Sequence, residues 1–249
     1  MVAQHYCDAM TSFDHNGSRL AFRFTGGDGP VLVFLPGYMS DMSGSKATAL
    51  FDWAVARGRA CLLLDYSGCG ASGGDFLQGS IGRWTGDARA VLARVAPGAR
   101  VVLVGSSMGG WIALHAGVML GARLAGLVLV AAAPDFPDWG LEIAPDEAAA
   151  LAVKGHFSRP SGYGGDYLYS RVFLDDAAAC RMLGGAIAIT APVRLLHGQR
   201  DDAVPWRLSL DIAERLASDD VQAVLIKNGD HRLSRETDIA RLLALVDEL

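Results

Sequence analysis

The chain has 249 residues, about half of them apolar, and a net charge of −5. That length suits one large α/β domain or two small ones, with enough apolar residues for a core covered on both faces. The absence of any basic run argues against a nucleic-acid footprint or a polybasic membrane patch.

No apolar stretch reaches the ~18 residues of a membrane span. The opening MVAQHYCDAMTSFDHNGSR shows no basic start leading into an apolar run. A soluble, cytoplasmic protein is the expectation. Cys7, Cys61, Cys69 and Cys180 are far apart, with no CxxC pair and no histidine at a metal spacing. They read as reduced thiols, and no metal is expected.

In chain order, HYCDAMTSF and RLAFRFT predict a hairpin joined through Asn16-Gly17, a dipeptide that accepts the positive φ of a tight turn. Six apolar runs follow: VLVFL (31–35), ACLLLD (60–65), RVVLVG (100–105), LAGLVLVAA (124–132), PVRLLHG (192–198) and VQAVLIK (221–227). Unbroken runs of this kind suit strands buried on both faces. Between them lie the helical patterns SKATALFDWAVARG, GRWTGDARAVLARVA, MGGWIALHAGVML and WRLSLDIAERLA, and RETDIARLLALVDEL closes the chain. This alternation predicts an α/β fold: a mostly parallel sheet with right-handed crossovers and helices on both faces. Ligands of such sheets bind at the carboxyl ends of the strands.

One interval breaks the rhythm. Residues 134–191 hold no sheet-like run but many Pro, Gly and aromatic residues, among them Phe136, Trp139, Phe157, Tyr163, Tyr167, Tyr169 and Phe173. Within a single domain spanning 1–249, this interval reads as an inserted cap, the alternative being helical packing on the flank of the core.

The segment VVLVGSSMGGWIALHAG passes from strand to helix with no spacer. Gly105-Ser106-Ser107-Met108-Gly109 fits G-x-S-x-G with Ser107 central, the pattern of a nucleophile on a sharp, strained turn. A helix-capping serine is the simpler alternative. A lone hydroxyl is a poor nucleophile, so a base and a group that orients it are needed.

The loops after the last two strands read QRDDAVP and NGDHRLS. They bring Asp201 or Asp202, and then His231, to the same sheet edge as Ser107. Asp201 is preferred for its HGxxDxxVP spacing, with Asp202 a solvated neighbour or a turn residue. Rivals to His231 are His115 inside the following helix, His156 in the cap, and His197 at a strand end beneath the acid loop. Asp65 precedes the serine in the chain and reads as structural, bonding loop amides.

An oxyanion hole needs two backbone N–H donors. Met108 supplies one by position, and Tyr38 in the loop PGYM is the candidate for the other, with Met39 the second choice. Met39, Met42, Trp139 and Phe157 are candidates for an acyl-binding wall, though each also suits a core position. Arg159, Arg171 and Arg207 are candidates for an anionic leaving group, though each also suits a solvated surface.

Through PGYMSDMSGSKA, DYSGCGASGG, GSSMGGW, RLLHGQRDDAVPW and GDHRLS, the chain resembles the α/β-hydrolase superfamily along nearly its whole length. More narrowly, it is similar to a group of palmitoyl-protein thioesterases and acyl-glucuronide esterases with bacterial relatives. The resemblance implies an eight-stranded sheet, a nucleophile at Ser107, an acid at Asp201 and a base at His231. It also implies cleavage of carboxylic esters or thioesters through an acyl-enzyme, without metal or organic cofactor. The substrate would be a small molecule or an acylated protein. A perhydrolase or a carbon–carbon bond hydrolase would use the same triad, and a ligand-binding protein without catalysis is the reading from another class. Acyl length, the leaving atom and the oligomeric state are left open.

Overall fold

The computed structural model describes residues 10–161 and 165–249. Cys7, Tyr163 and the first part of HYCDAMTSF lie outside them. β1 (Thr11–His15) and β2 (Ser18–Thr25) form the expected hairpin, turning through Asn16 and Gly17 at φ of 47° and 77°. The chain continues through β3 (Asp28–Leu35), α1 (Ser45–Ala56), β4 (Arg59–Leu64), α2 (Ile81–Val95), β5 (Val101–Ser106), α3 (Met108–Leu120) and β6 (Leu124–Val130). An excursion follows, made of α4 (Phe136–Gly140), α5 (Pro145–Lys154), β7 (His156–Pro160), β8 (Asp166–Ser170) and α6 (Arg171–Ala179). β9 (Val193–Gly198), α7 (Leu208–Arg215), β10 (Val221–Ile226) and α8 (Glu236–Asp247) complete the order.

Eight strands form one sheet in the order β1-β2-β4-β3-β5-β6-β9-β10. The β1/β2 and β2/β4 pairs are antiparallel and the other pairs are parallel. The unbroken apolar runs have a direct cause in the two cores. Val31, Val33 and Leu35 of β3 face a core shared with Trp84 of α2, Trp111 of α3 and Ile212 of α7. Leu32 and Phe34 face the opposite core, with Phe51 of α1 and Leu245 of α8. Side chains alternate across a strand, so only a strand covered on both faces reads as continuously apolar.

Two expectations need correction. β10 is an edge strand with exposed Gln222 and Ala223, so VQAVLIK is not buried on both faces. The interval 134–191 does contain strands: β7 and β8 pair as a separate antiparallel hairpin. Five residues each, partly exposed and ending at Pro160, they lack the apolar continuity of the main strands. Phe157 packs with Leu141 and Leu151 in a small cluster of the excursion. Asp135 ties the excursion's start to its return, its carboxylate accepting the N–H groups of Met182 and Leu183 at 2.9 and 2.8 Å.

Candidate active site

Ser107 stands between β5 and α3 at φ 54°, ψ −122°, a conformation that strains any residue with a side chain. Its N–H donates to Val130 O at 2.9 Å, and its carbonyl accepts from Gly110 at 2.8 Å and Ala133 at 3.1 Å. Those bonds hold the turn in place. The flanking glycines are required by close approach. A Cβ on Gly105 would stand 2.4 Å from Gly109 O, and one on Gly109 would stand 2.0 Å from Leu35 O. Ser107 makes no side-chain bond capping α3. Its hydroxyl instead lies 3.2 Å from His231 Nε2.

His231 Nδ1 lies 2.8 Å from Asp201 Oδ2. Asp201 follows the end of β9 and His231 the end of β10, parallel strands whose carboxyl ends lie on the same sheet edge as that of β5. An ionised carboxylate only accepts, which puts the imidazole proton on Nδ1 and leaves Nε2 to accept the Ser107 hydroxyl proton. The second oxygen of Asp201 accepts the N–H groups of Ala203 at 2.9 Å and Val204 at 2.8 Å. Burial pushes the Asp201 carboxyl up. The hydrogen bonds from His197 and His231, and the charge His231 can carry, outweigh that and hold it well below the usual carboxylate range. Asp202, next to it, is exposed.

His197 is fully buried, with Nε2 3.1 Å from Asp201 Oδ2 and Nδ1 2.7 Å from Ser209 Oγ. It lies beneath the acid loop. The two remaining rivals to His231 are engaged elsewhere, His115 with Cys180 O at 2.8 Å and His156 with Lys154 O at 3.2 Å. Asp65 accepts the N–H groups of Met42 and Ala71, each at 2.7 Å, and is buried in the loop after β4.

A cavity of about 350 Å³ opens over Ser107 and His231, and its lining includes Tyr38, Met39, Lys46 and Arg232. The loop carrying Tyr38 runs against the elbow. A Cβ on Gly37 would stand 3.4 Å from Ser107 Cβ. The Tyr38 ring sits among Trp84, Phe136, Tyr169 and Phe173. Its hydroxyl donates to Leu168 O, while the Leu168 N–H points to Met39 Sδ at 3.4 Å. Burial, reinforced by Tyr169 and Cys69, pushes the Tyr38 phenol well above its ordinary range, so it remains a neutral donor. Two side chains of the loop after β3 thus engage both backbone groups of one β8 residue, an arrangement with no signal in the sequence.

The other acyl-wall candidates are not in the cavity lining. The Trp139 indole N–H donates to Pro134 O at 2.8 Å, and its ring packs against the core. Met42 belongs to the core beneath α1, and Phe157 to the excursion's own cluster. The three arginines are elsewhere too: Arg159 pairs with Glu147 at 2.6 Å, Arg171 is exposed, and Arg207 lies over the Trp206 ring. The cations that do reach the cavity, Lys46 and Arg232, were not singled out in the sequence. Their signal was position, within PGYMSDMSGSKA and beside His231.

Cys61 and Cys69 are buried, and burial pushes both thiols up to about 12. Among the described residues, no group of three or more His, Cys, Asp or Glu is placed to hold a metal ion, and no helix is long and apolar enough to cross a membrane.

The pattern of the Alpha/beta hydrolase family matches residues 32–245. The chain belongs to this family. This hydrolase is 38% identical over 233 residues to mitochondrial palmitoyl-protein thioesterase ABHD10 of Rattus norvegicus, a match covering 92% of the chain and 78% of that relative. It is similar to the solved structure of a putative hydrolase from Agrobacterium vitis S4, with a TM-score of 0.90 and 37% identity, covering 96% of this chain and 97% of that one. Against mouse alpha/beta hydrolase domain-containing protein 10 the TM-score is 0.87 at 34% identity, with 96% and 97% covered.

Proposed function

We propose that this hydrolase cleaves carboxylic ester or thioester bonds through an acyl-enzyme on Ser107. The observation that carries the reading is the strained elbow that holds the Ser107 hydroxyl 3.2 Å from His231 Nε2, with Asp201 2.8 Å behind the imidazole. His231 takes the hydroxyl proton as Oγ attacks the carbonyl carbon. Asp201 holds the ring and stabilises the imidazolium. The backbone N–H groups of Tyr38 and Met108 receive the developing oxyanion, at the positive end of α3. His231 then returns its proton to the departing alcohol or thiol. Water, deprotonated by the same imidazole, releases the acid. Every group required belongs to the chain or to the solvent.

The name of the rat relative, a palmitoyl-protein thioesterase, supports acyl chemistry with a sulfur leaving atom. The substrate in this reading is a small molecule or an acylated protein. Residues from about 134 to 191 serve as a cap, with Met39 in the substrate wall. The free thiols of Cys61, Cys69 and Cys180 support a reducing compartment, in our reading the cytoplasm.

Steady-state hydrolysis of para-nitrophenyl esters tests the nucleophile. Ser107→Ala is expected to lower kcat by about a thousandfold or more. A Ser107→Ala variant as fast as the parent would overturn the assignment.

A further inference from the structure

Lys46, in the first turn of α1, lines the same cavity as Ser107 and His231. Its ammonium donates to Arg232 O and lies 3.4 Å from Ser234 Oγ. Both acceptors are neutral. Lys46 takes part in none of the ion pairs found among the described residues. Burial, together with nearby Arg232, pushes its ammonium down to about 8, while Asp230 and Asp238 oppose that from beyond ion-pair reach.

A half-buried cation held only by neutral acceptors is costly unless an anion completes its shell. An ammonium carries three N–H donors, and the two protein acceptors use two of them. Arg232 adds a second positive residue to the lining. Two acidic residues line the cavity as well, Asp41 and Asp166. Asp41 is occupied locally, one of its oxygens accepting the N–H of Ser43 at 2.8 Å and its hydroxyl at 2.5 Å. The two carboxylates offset the positive charge of Lys46 and Arg232 across the cavity as a whole, which disfavours a doubly charged phosphate ester and leaves the local need of the Lys46 ammonium for one anionic partner. Much of the remaining wall is polar, with Ser40, Ser45, Ser161 and Ser234. At about 350 Å³ the cavity is at the small end of the ~300–1,000 Å³ usual for ligand sites. A group at Lys46 and a carbonyl at Ser107 therefore belong to one compact molecule.

We propose that Lys46, with Arg232 beside it, forms a carboxylate-binding subsite of the catalytic cavity, which makes small esters or thioesters bearing a carboxylate the preferred substrates. This rests on the esterase reading above and deepens it. The same Lys46 bonds also tie α1 to the loop carrying His231, so the test must separate binding from pinning.

The experiment measures kcat/KM for the parent, Lys46→Met and Lys46→Arg on two pairs of esters. One pair places the carboxylate in the leaving group: para-butyryloxybenzoate and its neutral methyl amide. The other places it in the acyl half: phenyl hydrogen adipate and its neutral methyl amide. The parent is expected to prefer the carboxylate member of at least one pair, and the pair that responds identifies the half that meets Lys46. Lys46→Met is expected to lower that anionic-to-neutral ratio by about tenfold or more, the strength of a charge-assisted hydrogen bond. Lys46→Arg is expected to retain the preference. A Lys46→Met variant that slows both members equally would reduce Lys46 to a pin and overturn the subsite. So would a parent that prefers the neutral member of both pairs, an outcome that needs no folded variant. A parent that turns over none of the four esters overturns the esterase reading, and the subsite falls with it.

Discussion

The Nε2 atom of His197 stands 3.1 Å from Asp201 Oδ2, the same oxygen that lies 2.8 Å from His231 Nδ1. One carboxylate oxygen thus faces two imidazoles, one fully buried and one at the cavity. Ser209 holds the buried ring from its other side at 2.7 Å. With its proton on Nε2, His197 donates to Asp201 and accepts the Ser209 hydroxyl, a chain in which every buried polar atom has a partner. In the mechanism proposed above, His197 would act through Asp201, as a positioning residue.

His197→Ala is expected to lower kcat by about tenfold to a hundredfold, through misplacement of the carboxylate behind His231, while KM stays within about twofold. Steady-state kinetics on a neutral ester checks this. An unchanged kcat beside a lowered melting temperature would make His197 a packing residue only.

Asp201→Asn is expected to lower kcat by about ten-thousandfold, because an amide in that position favours the wrong imidazole tautomer. Asp202→Asn, at an exposed residue, is expected to stay within about twofold. The reverse pattern would move the acid to Asp202.

The Asp201 carboxyl is held below its ordinary range in the folded chain. For such a group, the stability it contributes is present above the unfolded pKa of about 4 and is lost as pH falls through the folded value. The stability difference between the parent and Asp201→Asn, measured by urea denaturation, is expected to be larger at about pH 6 than at about pH 3. A difference that grows on acidification would contradict the direction of the shift.

The sheet was legible because burial on both faces leaves no polar position in a strand, as the alternation of Val31 to Leu35 between two cores illustrates. The meeting of Ser107, Asp201 and His231 was legible because parallel strands deliver their following loops to one edge. What the reading missed depends on contacts between distant segments. Nothing in HFSRP or DYLYS announces a hairpin, and nothing in PGYM announces that Tyr38 will bond to Leu168. Trp139 reads as substrate wall from an apolar side chain near the predicted mouth, but its indole N–H is satisfied by Pro134 O and it is not in the cavity lining. Lys46 escaped notice because a lysine early in a helix looks solvated until the loop from β10 is folded over it.

Asp65 also ends a strand at this edge, yet its two oxygens are taken by the amides of Met42 and Ala71. Asp65→Ala strands the buried Met42 N–H and the half-buried Ala71 N–H, and is expected to cost about 2–4 kcal/mol of stability in urea denaturation. Loss of activity without loss of stability would give Asp65 a chemical role.

The most direct measurement is covalent capture. The parent is treated with a fluorophosphonate, digested, and its peptides are mapped by mass spectrometry, with Ser107→Ala carried in parallel. A single adduct on the peptide holding Ser107, absent from the variant, is the expected result. An adduct on another residue, or none in a parent that hydrolyses esters, would contradict Ser107 as the nucleophile.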